Sequence, residues 1–177
     1  YKRLKVSMGK IIVGDSGIKK KTQDILQRLK GSATKAIEMI KKHNPNFRIH
    51  NAKKQDFYDL RKILPFELQP YFYAAVFNHQ ITQSALLELN NSNCDLNKIS
   101  HLINAHQDIL DKKLNNTPND MIRMMDAAKS AGAKATKIVG SGGGGCFLAM
   151  IDPQDEKKVL NSILSAGAID AFSVNLI

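Results

Sequence analysis

The sequence predicts an α+β fold, a mostly antiparallel sheet with helices packed on one face, and three observations predict it. Short apolar runs that read as strands stand near the start, near residues 137 to 151 and at the end. Helical periodicity fills the long stretches between them. A loop of six residues, Gly140-Ser141-Gly142-Gly143-Gly144-Gly145, is clamped between two of the apolar runs.

Leu4 to Val6 and Lys10 to Val13 read as short strands separated by Met8-Gly9, and Asp15-Ser16-Gly17 ends the second. Thr22 is placed to cap a helix carried by Ile25, Leu26 and Leu29, with Gly31 as its stop. Ser32 restarts a helix through Ala36, Ile37 and Ile40 to about His43, closed by Asn44-Pro45. Asn46 to Gln55 reads as a loop. Phe57, Leu60 and Ile63 predict a short helix that Leu64-Pro65 breaks.

From Leu68 to about Asn90, Phe72, Ala75, Val76, His79, Ala85, Leu86 and Leu89 recur at helical intervals and predict one long helix. Asn90 to Asn93 is a loop. Asp95 caps a helix carried by Ile99, Leu102, Ile103 and Leu110. Asn115-Asn116-Thr117-Pro118 reads as a cap with proline in the first turn, opening a helix through Met121, Ile122, Met125 and Ala128 to Ala131-Gly132. A strand over Lys137 to Val139 enters the glycine loop and Cys146 to Ile151 leaves it. Asp152-Pro153 starts a last helix through Val159, Leu160, Ile163 and Leu164, ended by Gly167, and Ala171 to Ile177 closes the chain as a strand.

At 177 residues the chain holds one domain with a sizeable core, and two would be cramped. No apolar run reaches the roughly 18 to 20 residues that a membrane-crossing helix needs. Nothing at the start resembles a signal peptide, and the opening Tyr1-Lys2-Arg3 suggests a piece cut from a longer protein. Two cysteines, Cys94 and Cys146, make neither a zinc cluster nor a disulfide framework, which reads as a reducing, cytoplasmic setting.

The net charge of +10 raises the question of nucleic acid. Yet the basic residues lie in short clusters, Lys19-Lys20-Lys21, Lys41-Lys42, Lys53-Lys54, Lys112-Lys113 and Lys157-Lys158, beside helical patterns where solvated lysines are expected. With no Trp and no interleaving of basic and aromatic residues, nucleic acid is disfavoured, while a positive field suits an anionic ligand such as ATP.

Gly140, Gly142 and Gly145 satisfy the G-x-G-x-x-G spacing of dinucleotide-binding folds, but that pattern needs a helix after it and Cys146 to Ile151 reads as a strand. A Walker loop needs Lys then Ser or Thr after its last glycine, and here Cys146 and Phe147 follow. What remains is a strand, a glycine loop that lets backbone approach another group, and a second strand.

Gly132-Ala133-Lys134-Ala135-Thr136-Lys137 followed by Gly140-Ser141-Gly142-Gly143-Gly144-Gly145-Cys146 resembles the third signature motif of the GHMP small-molecule kinases. Ala135 stands where glycine is usual and Thr136 where alanine is usual. Ile11-Ile12-Val13-Gly14-Asp15-Ser16-Gly17-Ile18, followed by Thr22, resembles the D-[ST]-G-[VI] strand end of the same family.

The resemblance implies a ferredoxin-like C-terminal domain with extra helices inserted, spanning residues 1–177, and a separate N-terminal phosphate-loop half outside this chain. It implies ATP-dependent phosphorylation of a hydroxyl on a small molecule, and it places Gly140, Ser141, Gly142, Gly143, Gly144 and Gly145 beside the nucleotide. The catalytic base and the Mg2+ ligands are expected upstream, so no catalytic residue and no metal site is assigned here. The N-terminal domain, ATP and the acceptor are the expected partners.

Ser141 could donate to a phosphate or only to its own turn, and Lys137 could reach a phosphate or serve as a packing lysine. Asp15, Ser16 and Gly17 read better as a turn than as substrate contacts. His43, His50, His79, His101 and His106 read as structural or exposed, and Met121, Met124 and Met125 as core.

For the acceptor, Tyr73 to Gln83 and Ile103 to Leu114 resemble galactokinase segments in position, although four residues usual there would fall on Tyr73, Val76, Gln80 and Gln83. The Asp15 to Thr22 stretch is closer to mevalonate kinases. A sugar acceptor, with a place in carbohydrate metabolism, is therefore the first reading and mevalonate the second. A noncatalytic module sharing the fold is the third.

Overall fold

A computed structural model describes residues 9–20 and 22–175. The strand expected over Leu4 to Val6 lies outside them, as do the last two residues of the closing strand. Four antiparallel strands, β1 (Lys10–Asp15), β2 (Ala135–Ile138), β3 (Cys146–Ile151) and β4 (Asp170–Asn175), form one sheet in the order β2-β3-β1-β4. Read from the β4 edge this is the ferredoxin-like arrangement, with a long helical insertion between β1 and β2.

The strand residues alternate between two faces. Ile12, Ile138, Phe147, Ala149 and Ile151 point to helices α6 (Asn119–Ser130) and α7 (Glu156–Ser165), where Met121, Met124, Met125, Val159 and Ile163 complete the core. The methionines are core, as their spacing predicts. Ile11, Ala135 and Met150 face the other way and meet Leu96 and Ile103 of α5 (Leu96–Lys112).

Helix α5 also closes an edge. β2 is an outer strand, and its unpaired groups would otherwise face apolar side chains. Asn104 donates from Nδ2 to the Lys134 carbonyl at 2.8 Å and accepts from the Thr136 N–H at 3.2 Å. One helical turn on, Gln107 Oε1 accepts from the Ile138 N–H at 3.0 Å. Two side-chain amides at helical spacing thus stand in for a fifth strand.

The inserted helices build a second core. Helices α2 (Ser32–His43), α3 (Lys54–Leu60) and α4 (Gln69–Leu89) enclose Ile40, Phe47, Phe57, Phe72 and Val76, with Phe47 and Phe57 each 5.8 Å from Phe72 between ring centroids. Burying a ring of this size contributes roughly 2–3 kcal/mol. α4 and α5 follow their expected limits, and Asp95 caps α5 by accepting from the N–H groups of Asn97 and Lys98.

Several local expectations are corrected. Gly31 stops nothing: α1 (Thr22–Leu26) runs through one π turn over Gln27–Gly31 into α2, with Gly31 in ordinary helical geometry. Thr22 lies within α1 rather than capping it. The Asn46 to Gln55 loop contains a 3₁₀ turn, Ile49–Asn51, and the start of α3, where Asp56 accepts from the Lys53 N–H at 2.6 Å. Pro118 stands at the N-cap of α6, and β2 begins two residues before the expected Lys137 and ends before Val139.

Candidate functional site

The glycine loop joins β2 to β3, and two other segments hold it. The turn after β1 forms one clamp. Ser16 donates to the Gly145 carbonyl from both its N–H, at 3.0 Å, and its Oγ, at 2.6 Å, while the Gly145 N–H donates to the Ile18 carbonyl at 2.9 Å. Asp15 accepts from the Gly17 N–H at 2.9 Å and thereby closes the turn. Asp15, Ser16 and Gly17 are therefore a strand-ending turn, and that turn is the loop's scaffold.

The second clamp is Asn116. Its backbone carbonyl accepts from the Gly143 N–H at 2.8 Å and its Nδ2 donates to the Ser141 carbonyl at 3.0 Å. Asn116 is 4% exposed, and its Oδ1 is buried without a partner. The segment carrying it is pinned in turn: Asn115 adopts a left-handed φ of 47°, Arg28 donates to the Leu114 carbonyl at 2.8 Å, and the Thr117 hydroxyl lies between Asp111 and Gln107.

Two glycines are required by contact. A Cβ on Gly142 would fall on the Asn116 amide and 2.7 Å from Ile138 Cδ1; one on Gly144 would lie 2.5 Å from the Ile18 carbonyl oxygen. Both residues also have positive φ, 77° and 141°. Held this way, the loop spends the N–H groups of Gly143 and Gly145 on its clamps. Those of Gly140, Ser141, Gly142 and Gly144, and the Ser141 hydroxyl, find no acceptor among the described residues. A concave run of backbone donors is an anion-binding device.

Lys20 crosses the loop, its ammonium donating to the Val139 carbonyl at 2.9 Å and lying close to Gly140 and Gly145. Two cavities of about 300 and 360 Å³ adjoin Gly143; Ile25 and Arg28 line both, Asn116 the first and Lys19 the second. Lys19, Lys20 and Arg28, with Asp24 beside them, give the surroundings of the loop an excess of positive charge.

The structure brings together the loop and the Asp15 to Ile18 turn, two motifs more than a hundred residues apart. It keeps Lys137 away: that half-buried amine faces α5, lies 3.4 Å from the Ile138 carbonyl, and has its pKa lowered by burial against an opposing pull from Asp111. Cys146 is a half-buried free thiol at the start of β3. Sequence reading missed Asn116, Lys20 and Arg28. Asn116 looked like part of a helix cap and Lys20 like one of a run of solvated lysines, while Arg28 carried no sequence signal.

Among the described residues no three His, Cys, Asp or Glu side chains stand together in a way that could hold a metal ion, and no helix is long and apolar enough to cross a membrane.

Sheet order and the helical insertion define a ferredoxin-like fold, with the clamped glycine loop between β2 and β3. Residues 84–169 match the family model described as GHMP kinases C terminal. Among solved structures, the fold is similar to Lactococcus lactis galactokinase complexed with galactose, at TM-score 0.79 and 17% identity over 98% of this chain and 45% of that one. It is also similar to L. major mevalonate kinase in complex with R-mevalonate, at TM-score 0.54 and 15% identity over 94% of this chain and 42% of that one. The Methanococcus jannaschii mevalonate kinase gives TM-score 0.56 and 18% identity over 95% and 39%. This chain spans less than half the length of each. No curated protein sequence matches it.

Proposed function

We infer that residues 1–177 form the C-terminal domain of an ATP-dependent kinase that phosphorylates a hydroxyl on a small molecule, with the phosphate-loop half supplied by an N-terminal domain of the same protein. The observation that carries this is the glycine loop, fixed by Asn116 and Ser16 while its remaining N–H groups and Lys20 stay available to an anion. Phosphoryl transfer is catalysed by positioning and charge stabilisation, and such a loop supplies both without a side-chain nucleophile.

The residues present fit nucleotide phosphate. Gly140, Ser141, Gly142, Gly143, Gly144 and Gly145 would border it, and Lys20 would add a cation. ATP supplies the transferred phosphoryl group. The Mg2+ ligands and the catalytic base are expected from the part of the protein outside this chain. A cytoplasmic setting remains part of this reading and rests on the cysteine usage.

A sugar is the first acceptor to test. One observation favours the second reading: Lys19 and Arg28 against a single carboxylate, Asp24, line the cavities at Gly143, which leaves one cation in excess as a counter-charge for an acidic acceptor. The experiment is ADP release by the full-length protein with galactose, other hexoses and mevalonate. Turnover with galactose assigns the sugar reading. Turnover with mevalonate, with a KM raised at least tenfold by Arg28→Met, assigns the acidic one. No turnover with any acceptor, together with no ATP binding, makes the domain a noncatalytic module.

A further inference from the structure

Between α4 and α5 lies a cavity of about 510 Å³, with Tyr73 and Phe77 on one wall and Leu102 and Ile109 on the other. The two rings are stacked, 4.0 Å between centroids and 12° between planes. Lys113 Nζ lies 5.3 Å from the Tyr73 centroid and Lys54 Nζ 5.8 Å from that of Phe77.

Charge at the mouth of this cavity is unbalanced. Four charged residues line it: Lys54, Lys112, Lys113 and Asp108. Asp108 is already paired with Lys112 at 2.8 Å. Among the described residues Lys54 and Lys113 have no carboxylate partner, and each ammonium rests only against an aromatic face. Such contacts are weak at exposed sites and are readily exchanged for an ion pair. The volume lies within the range of small-molecule pockets, and the walls are mainly apolar with polar groups confined to the rim.

We propose that this cavity is a binding site for a small amphiphilic anion, with an apolar body between the Tyr73–Phe77 pair and Ile109 and its carboxylate at a rim ammonium, that of Lys113 beside Tyr73. An apolar molecule without charge leaves both ammonium groups unmatched, and a hydrophilic anion leaves the apolar walls wet. The pairing of the two features selects a ligand that has both. This proposal is independent of the kinase reading.

The test is calorimetric titration of the full-length protein with decanoate, below its micelle concentration, and in parallel with decanol and acetate. The expected result is one site with a Kd of tens of micromolar for decanoate and binding at least tenfold weaker for the other two. Lys54→Met/Lys113→Met, two exposed positions whose replacement leaves the fold intact by circular dichroism, weakens decanoate at least tenfold. Leu102→Asp abolishes binding and thereby locates it. Absence of decanoate binding, equal binding of decanol, or an unchanged affinity in the double lysine variant overturns the proposal, as does binding only to an acidic amphipathic peptide.

Discussion

Asn116 Nδ2 donates to the Ser141 carbonyl at 3.0 Å, and that contact orients the loop's opening half. Asn116→Ala removes it but keeps the backbone bond to Gly143. The expected loss is about 1 kcal/mol of stability, the usual net worth of one such bond, with ATP affinity of the full-length protein down roughly tenfold. Urea denaturation and nucleotide titration measure the two separately. An unchanged ATP affinity would detach the loop from the nucleotide.

Gly144→Ala is expected to be more damaging. Its Cβ meets a backbone carbonyl, that of Ile18, which cannot rotate away as a side chain can. Backbone in this conformation adds about 1–3 kcal/mol of strain for a non-glycine residue. Turnover should fall by two orders of magnitude or more. Gly142→Val should also abolish turnover, but it strikes buried Ile138 and so lowers stability as well, which a thermal melt will show.

Lys20→Met separates charge from shape. It leaves the clamps untouched and removes the ammonium over Gly140 and Gly145. ATP affinity should fall about fivefold to tenfold at low salt, with the difference shrinking as salt screens the charge. A constant affinity across salt and variant would exclude Lys20 from the site.

Gln107→Leu tests the edge of the sheet. Gln107 is 1% exposed and is the acceptor for the Ile138 N–H. Leucine fills the space but leaves that donor buried and unpaired, at a cost of roughly 2–3 kcal/mol. The urea midpoint reports it. A neutral result would mean that β2 is stabilised by packing alone.

His106 sets a pH dependence. Burial first, and the Lys137 charge second, push its pKa down to about 4, and its Nδ1 is buried without a partner. The unfolded chain takes up the proton near pH 6.5, so stability present above that value is lost as pH falls toward 4. The ring is only partly buried, which limits the loss to ~1 kcal/mol. Urea midpoints at pH 7.5, 6 and 4.5 should fall in that order, and His106→Gln should flatten the series.

The sheet and its loop were legible because compact apolar runs and glycine content are local signals. Cys146 to Ile151 announces β3 as an unbroken apolar run, and Asp95 announces a cap. The clamps were not legible. Nothing near Asn116 in sequence shows that its amide meets Ser141, because that meeting depends on how α5, α6 and β2 converge. Lys20 looks solvated for the same reason. Gly31 misled because glycine is a common helix stop, yet here it keeps ordinary helical backbone and the helix runs through it.

The π turn at Gln27–Gly31 has a consequence for how the gene can change. Ile25 and Arg28 address Gly143, while Ala36 and Ile40 address Phe72, and the wide turn sets the rotational phase between these two groups. Each residue of a regular helix advances the phase by about 100°. A π turn fits one extra residue into about the span of an ordinary turn, so deleting one codon here would restore regular winding and leave both groups near their targets. Deleting a codon from the regular windings on either side would swing one group away, so the π turn is where this segment can change its length.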